Sequence, residues 1–209
     1  MKNYWRWILI GLFPLIVGCS QVPLQVTYFD PVLDRPNIKT ISVSDEAYAS
    51  LENSRVSINA VIYEYNSMIA LYLELSNKNS VDISPEEYSI SLADGRDLKP
   101  IRLLKRSELV EIKAKFIGGG RSNALQDQLI EATMTNAMNV VNVPTKDKII
   151  KLIDEGINQY FSFRPVYANA TRTGVLCFMP DFKLEYPLTL LVKIKGEPLA
   201  IRFLPIKKP

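Results

Sequence analysis

The chain has 209 residues, 47% apolar and 22% charged, which is ordinary globular composition and enough for one domain with its own core. It contains no histidine, which excludes Ser-His and Cys-His nucleophile pairs and every zinc site built on imidazole. A net charge of +3 names no partner.

At the start, Lys2 and Arg6 precede an apolar run from Ile8 to Val17 that is interrupted only by Gly11 and Pro14. Charged, then apolar, then small is the order of a secretory signal. About ten to thirteen apolar residues fall short of the roughly 20 that a spanning helix needs, so a plain transmembrane anchor fits less well. The tetrad Ile16-Val17-Gly18-Cys19 resembles the lipobox of bacterial lipoproteins. The resemblance implies a signal peptide over 1–18, cleavage between Gly18 and Cys19, and palmitate or related lipid on Cys19. Ser20 in second place, instead of aspartate, implies an outer-membrane protein facing the periplasm, where nucleic acid is not an expected partner. Two or more acyl chains hold a protein firmly at a membrane.

With Cys19 carrying lipid, Cys177 has no partner for an internal disulfide. Its apolar setting reads as a buried strand in which the thiol acts as a small apolar group.

Residues 19–38 read as a tether passing into an extended segment, whose Leu24, Val26, Tyr28 and Phe29 pack on a domain spanning 39–209. Thr40–Val43 predicts a first strand. Val56 to Ile62 and Ile69 to Leu75 alternate around Asn66-Ser67, as in a hairpin. Tyr88, Ile90 and Leu92 alternate up to Asp94-Gly95, a strong turn dipeptide, and Leu98–Leu104 returns. Thr173–Phe178, Leu188–Ile194 and Leu199–Phe203 complete the strands, with Gly196-Glu197 as a two-residue turn before the last. Seven or so short strands divided by turns predict an antiparallel β-sandwich.

Ile130, Met134, Ala137, Met138 and Val141 share one helical face, and Ile149, Ile153, Ile157 and Tyr160 share another. A helical hairpin at about 122–161 follows, capped by Ser122 and Thr145 and approached through Gly118-Gly119-Gly120. Its stripes are expected to cover the sheets, and the methionine-bearing face could receive a partner.

Leu71-Tyr72-Leu73-Glu74-Leu75-Ser76-Asn77, Ser80 with Ile83, Leu92-Ala93-Asp94-Gly95 and Gly174-Val175-Leu176-Cys177-Phe178 together resemble the Ig-like domains of bacterial envelope lipoproteins. The resemblance covers about two thirds of the mature chain and implies an Ig-like sandwich and an envelope location, not a reaction.

Charge is uneven: residues 20–98 carry −7, 99–121 carry +5 and 122–209 carry +3. Arg102, Lys105, Arg106, Lys113 and Lys115 are therefore candidate anion-binding residues, against the simpler reading of solvated faces near acidic ones. Catalytic motifs do not assemble. Gly120-Arg121-Ser122-Asn123-Ala124 lacks the last glycine of a nucleophile elbow, and the glycine triplet lacks the lysine of a phosphate loop. Asp94–Asp97 lacks the ligand series of a calcium loop, and Glu86-Glu87 and Asp45-Glu46 are adjacent pairs that point to opposite sides of a strand. Neither a metal nor a cofactor is expected. These features predict a non-enzymatic outer-membrane lipoprotein, an interaction or assembly module for an envelope protein that docks at a sheet edge or around Met134 and Met138. The alternative is a binder of anionic lipid or glycan through 99–121.

Overall fold

The computed structural model describes residues 26–43, 46–65, 68–118 and 143–206; the lipobox with Cys19, the expected cap Ser122, and Met134 and Met138 lie outside them. The strands are β1 (Val26–Pro31), β2 (Ile38–Val43), β3 (Glu46–Glu52), β4 (Val56–Tyr65), β5 (Met68–Asn77), β6 (Tyr88–Asp94), β7 (Lys99–Leu103), β8 (Thr171–Met179), β9 (Leu188–Ile194) and β10 (Glu197–Ile206). Helices α1 (Arg106–Gly118) and α2 (Val143–Asn158) lie between β7 and β8.

The strands pair antiparallel in the order β1-β10-β9-β6-β7-β8-β5-β4, and β4 returns to β1 through Val26↔Tyr65, Thr27↔Glu64 and Tyr28↔Tyr63. The sheet closes on itself as an eight-stranded barrel, which overturns the expected Ig-like sandwich. Alternation of apolar and polar residues is the same for a strand of a sandwich and a strand of a barrel. What separates the two is the partner on the outer edge of β4, and that partner is β1, from the extended stretch before residue 39. β3 takes the first half of the same edge, from Ala49↔Ala60 to Glu52↔Ser57, and β2 pairs outside β3.

Alternate residues of each strand face inward. Ile58, Ile62, Leu71, Leu75, Leu92, Phe178, Leu190 and Phe203 fill the interior, all of them buried. An eight-stranded barrel has an interior just wide enough for such side chains. On the outer face of β5 and β8, Met68, Ala70, Val175, Cys177 and Met179 meet Leu109 and Ile112 of α1 and Ile149, Leu152 and Ile153 of α2, forming a second buried layer. Ile149 and Ile153 thus face the sheet as their spacing predicts. The first stripe of the expected hairpin, Ile130 to Val141, falls outside the described residues. Thr145 is not a cap, because α2 already begins at Val143. α1 was not anticipated: its apolar residues are spread around it, with Leu109 and Ile112 buried but Val110 and Ile117 exposed. Its first turn is held by Glu108, whose carboxylate accepts from the Lys105 N–H at 2.7 Å, one half of a capping box.

β7 is short and pairs with β8 only through Arg102↔Met179 and Leu103↔Phe178. The rest of the gap between β6 and β8 is filled by the chain after α2. Phe161 N–H donates to the Val175 carbonyl (3.0 Å), Val175 N–H donates to the Gln159 carbonyl (2.7 Å), and Ile83 and Val166 exchange a pair of hydrogen bonds. This approach needs Gly174, where a Cβ would lie 2.6 Å from the Phe161 Cα. The β9–β10 loop is Lys195-Gly196, both at positive φ, one residue earlier than the expected Gly196-Glu197. A two-residue loop with both residues left-handed matches the twist of the flanking strands.

Candidate functional site

The outer faces of β2 to β5 and β8 form the floor of an open cleft of about 560 Å³, and residues 158–160 at the end of α2 form its wall. Strand register builds the floor. Ser50, Asn59, Glu74 and Thr173 lie side by side across four strands, each on the face opposite the barrel interior. Ile41 opposite Tyr48 supplies one apolar rim, and Tyr72 with Tyr160 the other.

Polar contacts fix these groups. Asn59 Nδ2 donates to Glu74 Oε1 at 2.9 Å, which sets the amide orientation and leaves Asn59 Oδ1 buried with no hydrogen-bond partner among the described residues. The Tyr72 hydroxyl donates to Glu155 Oε2 (2.8 Å), and burial together with this carboxylate pushes its pKa well above the ordinary value. The Tyr160 hydroxyl donates to the Leu104 carbonyl (3.3 Å). Both hydroxyls are therefore engaged with residues outside the cleft lining, and the two tyrosines offer it ring carbon. Among the described lining residues Glu74 is the one carboxylate, and there is no lysine or arginine.

A second polar cluster closes one end of the barrel. Glu64 shares the inward parity of Ile58 and Ile62, accepts from the Tyr186 hydroxyl at 2.7 Å, and is pushed above its ordinary pKa by burial. Thr27, opposite it in register, also bonds the carboxylate. Asp94 is buried and accepts from the backbone N–H groups of Glu185 (2.7 Å) and Tyr186 (3.0 Å). Here Asp94 holds a distant loop, beyond forming the turn expected of Asp94-Gly95.

The basic stretch is largely committed within the protein. Arg102 pairs with Glu108, Lys113 pairs with Asp154, and Arg106 Nε donates to the Ile157 carbonyl at 2.9 Å. Lys115 also has an interaction, and the Lys105 side chain is exposed. Arg102, Arg106 and Lys113 thus serve α1 and its contact with α2, and none of the five lines the cleft. Cys177 has no exposed surface, and burial pushes its thiol up to about 12. Among the described residues, no group of three or more Cys, Asp or Glu side chains is placed to hold a metal ion, and no helix is long and apolar enough to cross a membrane.

Reading the sequence missed Asn59, Glu74, Thr173 and Tyr48. Asn59 and Glu74 stand out only as polar positions within apolar strands, a pattern that a solvent-facing sheet surface shares. No known protein family, curated protein or solved structure matches the chain.

Proposed function

We propose that this is a lipid-anchored outer-membrane lipoprotein facing the periplasm, whose barrel is a non-catalytic interaction module that binds an extended segment of an envelope protein along β2. The leader and the lipobox Ile16-Val17-Gly18-Cys19 support the anchor. Confinement by lipid would raise the effective concentration of the domain for partners in the same membrane.

The observation that carries the docking reading is the outer edge of β2, with which no strand pairs among the described residues. The Asn37 carbonyl accepts from Glu52 N–H at 3.2 Å. Antiparallel alternation then turns the N–H and C=O of residues 37, 39 and 41 toward β3 and those of residues 38, 40 and 42 away from it. Ile38 N–H turns back to the Arg35 carbonyl (3.1 Å), so Thr40 and Ser42 present the outward donors and acceptors. An added strand gains affinity from such main-chain groups. With Arg102, Arg106 and Lys113 engaged inside the protein, the basic stretch supports an anion site less well.

Photo-crosslinkers at Thr40 and Ser42 of the lipidated chain in cells, with exposed Ser89 and Ser91 of β6 as controls, test the reading. One discrete envelope protein captured from both edge positions, and lost with Ser42→Pro, is the expected result. Equal capture from β6, or none from the edge, overturns it. Palmitate labelling that disappears with Cys19→Ser is expected for the anchor, and an unlabelled chain would remove that part.

A further inference from the structure

We infer that the cleft on the outer face of β3, β4, β5 and β8 is a binding site for a neutral polyhydroxylated ligand, one or two sugar rings. The inference is independent of the edge of β2, since it rests on different groups.

Size comes first. A cleft of about 560 Å³ lies within the range of roughly 300–1,000 Å³ usual for small-molecule sites. Charge then narrows the class. Glu74 would repel an anion, and among the described lining residues no lysine or arginine compensates it. Anionic lipid and anionic glycan, the ligands expected of the basic stretch, do not fit here.

Hydrogen-bonding capacity selects among the remaining ligands. The floor presents the second oxygen of the Glu74 carboxylate, whose other oxygen is held by the Asn59 amide at 2.9 Å. Thr173, Asn158 and Gln159 add groups that both donate and accept. Alternating donors and acceptors around a ring match vicinal hydroxyls. An organic cation would satisfy Glu74 and leave the amides and the hydroxyl unmatched. Tyr72 and Tyr160, with their hydroxyls tied to Glu155 and Leu104, contribute ring surface for the C–H face of a sugar.

Isothermal titration of the full chain, in a detergent without sugar headgroups, with cellobiose, maltose and diacetylchitobiose, tests the proposal; choline chloride is the cationic comparison. The expected result is saturable binding of at least one disaccharide, weakened roughly tenfold by Asn59→Leu, which frees the Glu74 carboxylate from the amide that positions it. Glu74→Gln keeps the shape of the side chain and is expected to weaken the same ligand severalfold, which covers the case in which Asn59→Leu does not fold. Three results would overturn the inference: no heat with any of the three sugars, sugar binding unchanged in the folded variants, or binding of choline in place of sugar.

Discussion

Two glycines decide how closely the layers of this protein approach one another. At Gly174 the nearest atoms to an added Cβ are backbone atoms, the Phe161 Cα at 2.6 Å and the Gln159 carbonyl at 2.8 Å, and neither can swing aside. Gly174→Ala is expected to destabilise the fold by about 1–3 kcal/mol or more, the usual cost of overpacking. A lowered urea midpoint with an unchanged slope is the measurement. Gly156 is a different case, because the neighbour of its Cβ is a side chain, the Cys177 Sγ at 2.8 Å. Alanine in a helix interior gains about 0.8–1.0 kcal/mol over glycine, but the clash outweighs that gain. Gly156→Ala is therefore expected to destabilise, and Cys177→Ala in the same chain to restore most of the loss. A double-mutant cycle with coupling near zero would contradict the contact. The same burial that shapes this contact keeps the Cys177 thiol protonated at neutral pH.

At the scale of the element, much of the strand pattern was legible and the pairing was not. Val56 to Ile62, Ile69 to Leu75 and Leu188 to Ile194 lie within strands β4, β5 and β9, because alternation reports one buried face wherever the strand sits. β3 carries little apolar alternation to read, since small Ala49 and a single leucine, Leu51, are its buried apolar residues among those described. α1 escaped because its apolar residues do not gather into one stripe. The cleft was illegible for a related reason: Asn59 meets Glu74, and Glu74 meets Thr173, only after three strands have taken their register. The chain after α2 makes a prediction at this level. Phe161 is fully buried inside the barrel where β7 is too short to close the wall. Phe161→Ala is expected to cost about 3–5 kcal/mol. Hydrogen exchange should speed up most at Val175 and Val166, whose amides bond the carbonyls of Gln159 and Ile83.

For the whole molecule, closure depends on partners remote in the chain: β1 joins β4 on one side and β10 on the other. No local pattern carries that information, which is why a sandwich and a barrel looked alike in the sequence. Closure also places Glu64 inside one end of the barrel, and its raised pKa ties stability to pH. The folded state holds this proton more tightly than the unfolded chain does. Its contribution is thus complete below the ordinary carboxylate pKa of 4.5 and is lost as pH rises through the higher folded value. Glu64→Gln keeps an acceptor for the Tyr186 hydroxyl and removes the titration. Its melting temperature relative to the parent chain is expected to rise between pH 4 and pH 7, in thermal scans across that range. A difference that stays constant with pH would show that Glu64 is not the group responsible.

The seam has a mechanical side. Everything upstream of Val26 enters the barrel through β1, which grips β4 by three register pairs and β10 by four. Any tension transmitted from the N-terminal end is therefore borne first by the strand that seals the cylinder, while the helices and the β4–β5–β8 wall carry no load until it yields. In an optical trap pulling from that end, the first event is expected to be a short lengthening equal to β1 alone, ahead of global rupture. A pull on the N-terminal end would open the barrel before it unfolded it.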